Sequence, residues 1–141
     1  MLTRLLLNLA LFVVVYWTVL FFAQRALAFP APPIEGAPSR QADARVVWLE
    51  SAAGRTEAWF LPPLGSPADP APLLLFGHGN AELIQHWPSA FAEPRRWGMA
   101  VLLVEYPGYG HSGGSPSSRS IQEVFEAAFD WAASQPDIDA R

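Results

Sequence analysis

Two glycine-rich loops carry the residue types that could take part in chemistry. The first reads Gly-His-Gly-Asn-Ala-Glu over 77–82 and directly follows a short apolar run at Leu73–Phe76. Two glycines around a histidine let the backbone turn sharply and approach a ligand closely. The backbone N–H groups of Asn80 and Ala81 could then point at a developing negative charge, which is the task of an oxyanion hole. A tight strand-to-helix turn without chemical function explains the same segment equally well.

The second loop, residues 106–116, contains a literal Gly-x-Ser-x-Gly sequence centred on Ser112. A serine nucleophile of this type lies on a sharp turn directly between a strand and a helix. Here the preceding apolar run ends near Glu105 and the next helix is expected only from Ser120. His111 is the last histidine in the sequence, and a serine hydroxyl without a base is a weak nucleophile. We therefore predict that Ser112 is a turn residue and not a nucleophile.

The composition argues against several other classes of chemistry. The 141 residues include no cysteine, which excludes thiol nucleophiles, disulfides and cysteine-ligated zinc. The spacing of His78, His86 and His111 matches no common ligand pattern, so we predict no metal site and no cofactor. The net charge is −4 and no basic run is present, so nucleic-acid binding is not expected.

The pattern of apolar residues predicts the strands that would hold these loops. Arg45–Glu50 and Gly54–Leu61 are predicted to form a β-hairpin. Leu73–Phe76 and Met99–Glu105 are continuous apolar runs of strand length, which is typical of parallel strands covered on both faces. Asp137–Arg141 is predicted to lead into the next strand.

Two helices are predicted between and after these strands. The first covers about Leu83 to Trp97, with Pro88 in its first turn and a stop or kink at Pro94. The second begins at Ser120, where Ser-x-x-Glu has the form of a capping box. Strands that alternate with helices form parallel β-α-β units, so the predicted fold class is α/β. The apolar stripe of the second helix consists of Ile121, Val124, Phe125, Ala128 and Trp131.

Residues 1–28 are predicted to be a membrane anchor or a signal segment. Leu5–Ala23 carries no charged residue and would form a helix of roughly 28 Å, close to the thickness of a bilayer's hydrocarbon core. An Ala-x-Ala sequence leaves open cleavage after Ala28, and a buried core helix is a third reading. Both leading readings place the body, residues 45–141, outside the cytoplasm, in the periplasm or the extracellular space, and cleavage would make it secreted. Residues 29–44 are rich in proline and predict an extended tether, or else an ordered loop packed on the body.

The two loops, taken with their strands, resemble the α/β-hydrolase superfamily. The matching sequences are LLLFGHGNAEL at 73–83 and VLLVEYPGYGHSGGSPS at 101–117, and the resemblance covers residues 45–141. The closest branch is that of the serine aminopeptidase-like hydrolases with an HGNA loop. The resemblance implies an incomplete α/β-hydrolase fold, with the hairpin as its first two strands. It also implies that the N–H of Asn80 is the first oxyanion donor, and that His78 braces this loop and is not the catalytic base. The residues predicted to shape the two loops are Gly77, His78, Gly79, Gly108, Gly110 and Ser112.

In this superfamily the nucleophile, the acid and the catalytic histidine all follow the matched region in chain order. The resemblance therefore implies the N-terminal part of a membrane-anchored serine hydrolase, which would cleave a small ester or amide substrate through an acyl-enzyme. Such a chain lacks the triad and is expected to be inactive alone. The alternatives are a membrane-tethered binding or scaffold protein with a degenerate hydrolase fold, and a fragment without an independent role. The edge of Leu73–Phe76 would stay unpaired and promote aggregation, and it carries no charge or proline to prevent this, which favours the fragment over the scaffold protein.

Overall fold

The computed structural model describes residues 1–34, 43–65 and 70–139. The chain divides into two compact units, Met1–Pro30 and Ala31–Arg141. Half of the predicted tether, residues 35–42, lies outside the described residues, so the tether stays a prediction.

The first unit is one long helix, α1, which spans Leu2–Ala28. Its 27 residues give a length of about 40 Å at 1.5 Å per residue. None of its side chains is buried, and in the described part of the chain it is the one helix that is long and apolar enough to cross a membrane. A signal sequence has the same properties, so both predictions for this segment remain open.

The second unit is built on one mixed sheet. The hairpin strands are antiparallel to each other, and the second of them is also antiparallel to its other neighbour. The remaining pairs are parallel, as the continuous apolar runs predict. The predicted hairpin and the predicted α/β fold class are both confirmed. In the order β1-β2-β4-β3-β5, the strands are β1 Arg45–Ser51, β2 Gly54–Leu61, β4 Ala100–Val104, β3 Ala71–Gly77 and β5 Ile138–Asp139.

Strand β4 lies in the middle of the core and all five of its residues are buried. Alternate side chains of a strand point to opposite faces of the sheet. Leu102 and Val104 therefore pack with one group of apolar residues, which includes Val124. Val101 and Leu103 pack with a second group, on the other face. This two-sided burial explains why the sequence of β4 shows no alternation of polar and apolar residues.

The single helix predicted at Leu83–Trp97 is wrong. The structure has two 3-10 turns at Ile84–His86 and Pro88–Phe91, followed by a short helix, α2, at Ala92–Arg96. Pro94 lies in the first turn of α2, where its missing N–H has no partner to lose. A helix that ran on from Leu83 would have required an N–H at this position. Pro94 therefore permits a new α-helix to begin at Ala92, and it does not end that helix.

The second predicted helix is confirmed, but its predicted start is wrong. Helix α3 spans Ser118–Ala133, and its N-cap is Ser117, whose hydroxyl accepts a hydrogen bond from the N–H of Ser120 at 3.0 Å. Ser120 therefore lies inside the first turn and is not the cap. Its hydroxyl is buried and donates to the carbonyl of Ser115 at 2.9 Å, which ties the helix to the preceding loop. The fully buried positions of α3 are Ser120, Val124, Ala128 and Ala132, while Ile121, Phe125 and Trp131 are half-buried.

The strand expected beyond Arg141 begins earlier in the structure. Ile138–Asp139 pairs in parallel with the first two residues of β3, Ala71 and Pro72. Within the described residues, the ladder on this side of β3 does not extend to Leu73–Phe76. The expectation of an unpaired edge at Leu73–Phe76 therefore holds within the described residues, and only the two positions before it are paired on this side.

Candidate functional site

The two glycine-rich loops begin side by side in the structure. Gly77, at the end of β3, is the register partner of Val104, at the end of β4, in a parallel pair. Ligands in open α/β sheets bind at the carboxyl ends of parallel strands. The sheet therefore brings loop A (residues 78–83) and loop B (residues 105–116) together at the edge where such sites occur.

A buried ion pair between His78 and Glu105 joins the two loops. The side chains are 0% and 1% exposed, and Nε2 of His78 contacts Oε1 of Glu105. The other ring nitrogen, Nδ1, lies 2.8 Å from the carbonyl oxygen of Gly79. A carbonyl and a carboxylate are both acceptors, so the geometry fits an imidazolium that donates from both nitrogens. Burial lowers the pKa of His78, but the hydrogen bond and the charge of Glu105 outweigh it, and the net pKa is raised above 6.5.

The carboxylate of Glu105 also accepts hydrogen bonds from the backbone. The N–H of Tyr106 donates to Oε1 at 3.1 Å, and the N–H of Ile84 donates to Oε2 at 3.2 Å. Loop B passes close to the same carboxylate at Gly110, where a Cβ would lie 2.8 Å from Oε2. One side chain thus fixes both ends of loop A and the middle of loop B.

Two tyrosines of loop B hold loop A, one at its base and one at its tip. The hydroxyl of Tyr106 donates to the carbonyl of His78 at 2.6 Å, and that of Tyr109 donates to Oδ1 of Asn80 at 3.1 Å. Burial raises the pKa of both tyrosines, and the charge of Glu105 raises it further. Both hydroxyls therefore remain protonated and keep these hydrogen bonds throughout the neutral range.

Ala81, the second predicted oxyanion donor, has an unusual backbone conformation. Ala81 has φ +59°, a left-handed conformation that is uncommon for a residue with a side chain. Its N–H lies 3.1 Å from Oδ1 of Asn80, so this donor is partly engaged inside the loop. The N–H of Gly79 donates to Oε2 of Glu82 at 2.8 Å. The oxyanion role of Asn80 and Ala81 stays a prediction, placed on a loop tip that several contacts hold.

A second buried carboxylate, Glu57 on β2, holds the far part of loop B. It is 2% exposed and accepts hydrogen bonds from the indole N–H of Trp59 at 2.7 Å and from the backbone N–H of His111 at 3.3 Å. Nδ1 of the His111 ring lies 3.0 Å from the same carboxylate. The N–H of Glu57 donates to the hydroxyl of Ser112 at 3.1 Å. Ser112 is thereby tied to β2, well before the start of α3.

Loop A and loop B contain most of the residues singled out in the sequence. Sequence reasoning did not find Glu57, Glu105, Tyr106 or Tyr109, although a glutamate directly after the apolar run of β4 was a readable signal. His86 is exposed on a 3-10 turn, whereas His78 is buried. The absence of a metal site stays a prediction.

We expect the stability that His78 contributes to be greatest at low pH. Because its pKa is raised in the folded state, the contribution is fully present below about pH 6.5 and falls as the pH rises through the folded pKa. The measurement is the free energy of unfolding of the wild type and of His78→Gln in detergent micelles, from about pH 6 to about pH 9. The difference between the two proteins should shrink as the pH rises. The exposed His86→Gln variant is the control, and an equal pH dependence of both variants would contradict the role of the pair.

The mixed sheet and the paired loops have the arrangement of the α/β-hydrolase fold. Solved structures support this at the level of the fold. A lidless α/β serine hydrolase from Xanthomonas campestris has a TM-score of 0.55 and 18% identity, and the match covers 71% of this chain and 49% of that one. The hypothetical protein PA2218 from Pseudomonas aeruginosa has a TM-score of 0.61 and 18% identity, and the match covers 76% of this chain and 37% of that one.

Three relatives by sequence match part of this chain, and one of them is named as an α/β-hydrolase domain-containing protein. The uncharacterized protein Rv2307c of Mycobacterium tuberculosis is 31% identical over 118 residues, which is 82% of this chain and 41% of the relative. The uncharacterized protein YfhR of Escherichia coli is 31% identical over 87 residues, which is 60% of this chain and 30% of the relative. The α/β-hydrolase domain-containing protein WAV2 of Arabidopsis thaliana is 34% identical over 95 residues, which is 66% of this chain and 30% of the relative. No family model matches the chain.

The chain has the N-terminal portion of the α/β-hydrolase fold, and its resemblance to this superfamily is confirmed. It spans between 30% and 41% of the length of these curated relatives. The narrower assignment to the serine aminopeptidase-like branch stays a prediction.

Proposed function

We propose that this chain provides the oxyanion-binding portion of a membrane-anchored serine hydrolase, which cleaves an ester or amide through an acyl-enzyme. The observation that carries the proposal is the fixation of loop A. The buried pair of His78 and Glu105 holds its base, and Tyr109 holds Asn80 at its tip. An oxyanion donor stabilises a transition state only if it is held in place before the reaction, and this loop has such support.

In the proposed reaction the backbone N–H of Asn80 faces the carbonyl oxygen of the substrate as it becomes an oxyanion. Removing one such donor costs about 10²–10³-fold in rate in other enzymes, which sets the size of the contribution. The remaining groups, a serine nucleophile with its acid and histidine, are proposed to lie outside residues 1–141. The cavity beside Glu57 and Glu105 is about 10 Å³, room for about one water. This cavity is too small for an acyl group, so it is not the acyl pocket of the proposed enzyme.

Helix α1 is proposed to anchor the body to a membrane, with the body in the periplasm or the extracellular space. Support comes from its length and from the absence of buried side chains along it. Cleavage after Ala28 would instead release the body. Detecting Phe29 as the N-terminus of the mature protein would decide for cleavage.

We expect the purified 141-residue chain to be unreactive toward a fluorophosphonate probe and toward a short-chain nitrophenyl ester. The hydroxyl of Ser112 accepts a hydrogen bond from the N–H of Glu57, and the adjacent His111 ring is engaged by the Glu57 carboxylate, so Ser112 is held as a turn residue and is not activated as a nucleophile. The measurement is probe labelling of the chain and of a polypeptide translated together with the downstream coding sequence. The proposal expects labelling of the longer product alone, at a serine other than Ser112. Labelling of the 141-residue chain that Ser112→Ala abolishes, while Ser89→Ala does not, would refute it.

A further inference from the structure

The segment before the hairpin reaches the end of the sheet where loops A and B lie. The second unit begins at Ala31, and Ile34 lines the small cavity that Glu57 and Glu105 also line. Among the described residues, Ile34 is the one lining residue that comes from before β1. It is 42% exposed, so more than half of its surface is covered.

A second contact holds the same segment nearer to β1. The carboxylate of Asp43 contacts the guanidinium of Arg95, which is 4% exposed and whose Nε donates to the carbonyl of Pro62 at 2.7 Å. The hydrogen bond from Arg95 holds the pKa of Asp43 below its ordinary value, so this pair stays charged at neutral pH. The segment is therefore held on the body at two points, and Ile34 is the one beside the candidate site.

The two hydrogen-bond networks of the candidate site meet at the cavity that Ile34 lines. Glu57 holds His111 of loop B, and Glu105 holds His78 of loop A. Both glutamates are buried, and the cavity of about 10 Å³ has room for about one water. Hydrogen bonds are stronger where bulk water is excluded, and water competes for the same donors. Access of bulk water to this cavity would therefore weaken both networks at once.

We propose that Ile34 is a positioning residue, which closes this cavity to bulk water and thereby keeps loops A and B in place. Isoleucine suits this task because it is apolar and its branched side chain has few rotamers. The inference goes beyond the proposed function and does not depend on it, since it concerns only how the two loops are held. The segment before β1 is thereby assigned to the support of the candidate site.

The test is amide hydrogen exchange, followed by NMR, of the full chain in detergent micelles. The N–H of Ile84 donates to the carboxylate of Glu105 and the N–H of His111 donates to that of Glu57, so these two amides report on the two networks. The amide of Leu102 reports on global unfolding, because this residue lies in the middle of β4, between β2 and β3.

We expect exchange at Ile84 and His111 to become at least about tenfold faster in Ile34→Ala, while exchange at Leu102 changes by less than about twofold. The reason is that a local opening exposes the amides beside the cavity and leaves β4 folded. Ile34→Val keeps an apolar, branched side chain and should restore most of the protection.

Leu64→Ala is the matched control. Leu64 is 50% exposed, close to the value for Ile34, and it follows the end of β2. That end pairs with the beginning of β4, whereas Glu105 follows the end of β4. Shortening Leu64 should therefore leave exchange at Ile84 and His111 unchanged.

Three results would overturn the proposal. Equal acceleration at Ile84, His111 and Leu102 in Ile34→Ala would mean that Ile34 contributes only to global stability. Unchanged exchange at Ile84 and His111 would mean that Ile34 does not close the cavity. The same acceleration in Leu64→Ala would mean that any loss of a half-covered apolar side chain has this effect. None of these results involves turnover of a substrate, so each is distinct from a failure of the proposed function.

Discussion

Replacing Glu105 with alanine is expected to destabilise the second unit by about 3–5 kcal/mol, because breaking a buried ion pair leaves the other charge without compensation. The charge left behind is the imidazolium of His78, which is fully buried. The change also leaves the N–H groups of Tyr106 and Ile84 without the carboxylate. Domains have a total stability of about 5–15 kcal/mol, so a loss of this size populates the unfolded state. The measurement is urea unfolding of the full chain in detergent micelles, followed by near-ultraviolet circular dichroism.

Two further variants separate the buried pair from a general effect of losing a glutamate. Glu50→Ala removes a carboxylate that is 75% exposed and lies 3.5 Å from Arg55, so we expect a change below about 0.5 kcal/mol. The double variant with His78→Gln should lose less than the sum of the single losses, because residues of one network are coupled. A Glu105→Ala loss no larger than that of Glu50→Ala would show that the pair does not support loop A.

The strands could be predicted from the sequence because their signals are local. The hairpin is indicated by its two runs and the turn between them, and the parallel strands by continuous apolar residues without alternation. The signal for the start of α3 is not local. Ser117 and Ser120 both have the side chain of a cap, and the contact of Ser120 with Ser115 decides between them. The sequence alone does not show that contact.

The supports of the candidate site were missed because their partners are distant in the chain. His78 and Glu105 are 27 residues apart, and His111 and Glu57 are 54 residues apart. The two pairs follow the same design, in which a buried carboxylate, within β2 for Glu57 and directly after β4 for Glu105, holds a histidine of a glycine-rich loop. A glutamate inside a run of buried residues indicates such a partner but does not say which. The resemblance to a known superfamily supplied the bracing role of His78, and the structure supplies the group that it braces against.

Replacing Gly114 with alanine is expected to cost about 2–4 kcal/mol, from a forced contact and from an unfavourable backbone conformation. Gly114 has φ +81°, and a Cβ there would lie 2.1 Å from the carbonyl oxygen of Ala53 in the turn of the hairpin. That oxygen belongs to the backbone, so the turn and loop B must move apart. Gly113→Ala is a control from the adjacent position, where the nearest atom to a Cβ, the carbonyl oxygen of Arg55, is 3.6 Å away.

We expect Gly113→Ala to change the free energy of unfolding by less than about 1 kcal/mol in either direction, since alanine also reduces the freedom of the unfolded chain. Both variants are compared by the same urea unfolding in micelles. The two changes add the same methyl group to the same loop, so the contrast isolates what is particular to Gly114, its contact with Ala53 and its left-handed backbone. Equal losses would mean that loop B does not rest on the hairpin turn. A large loss at Gly114 alone is the expected result, because loop B passes the hairpin turn at this residue in a conformation that favours glycine.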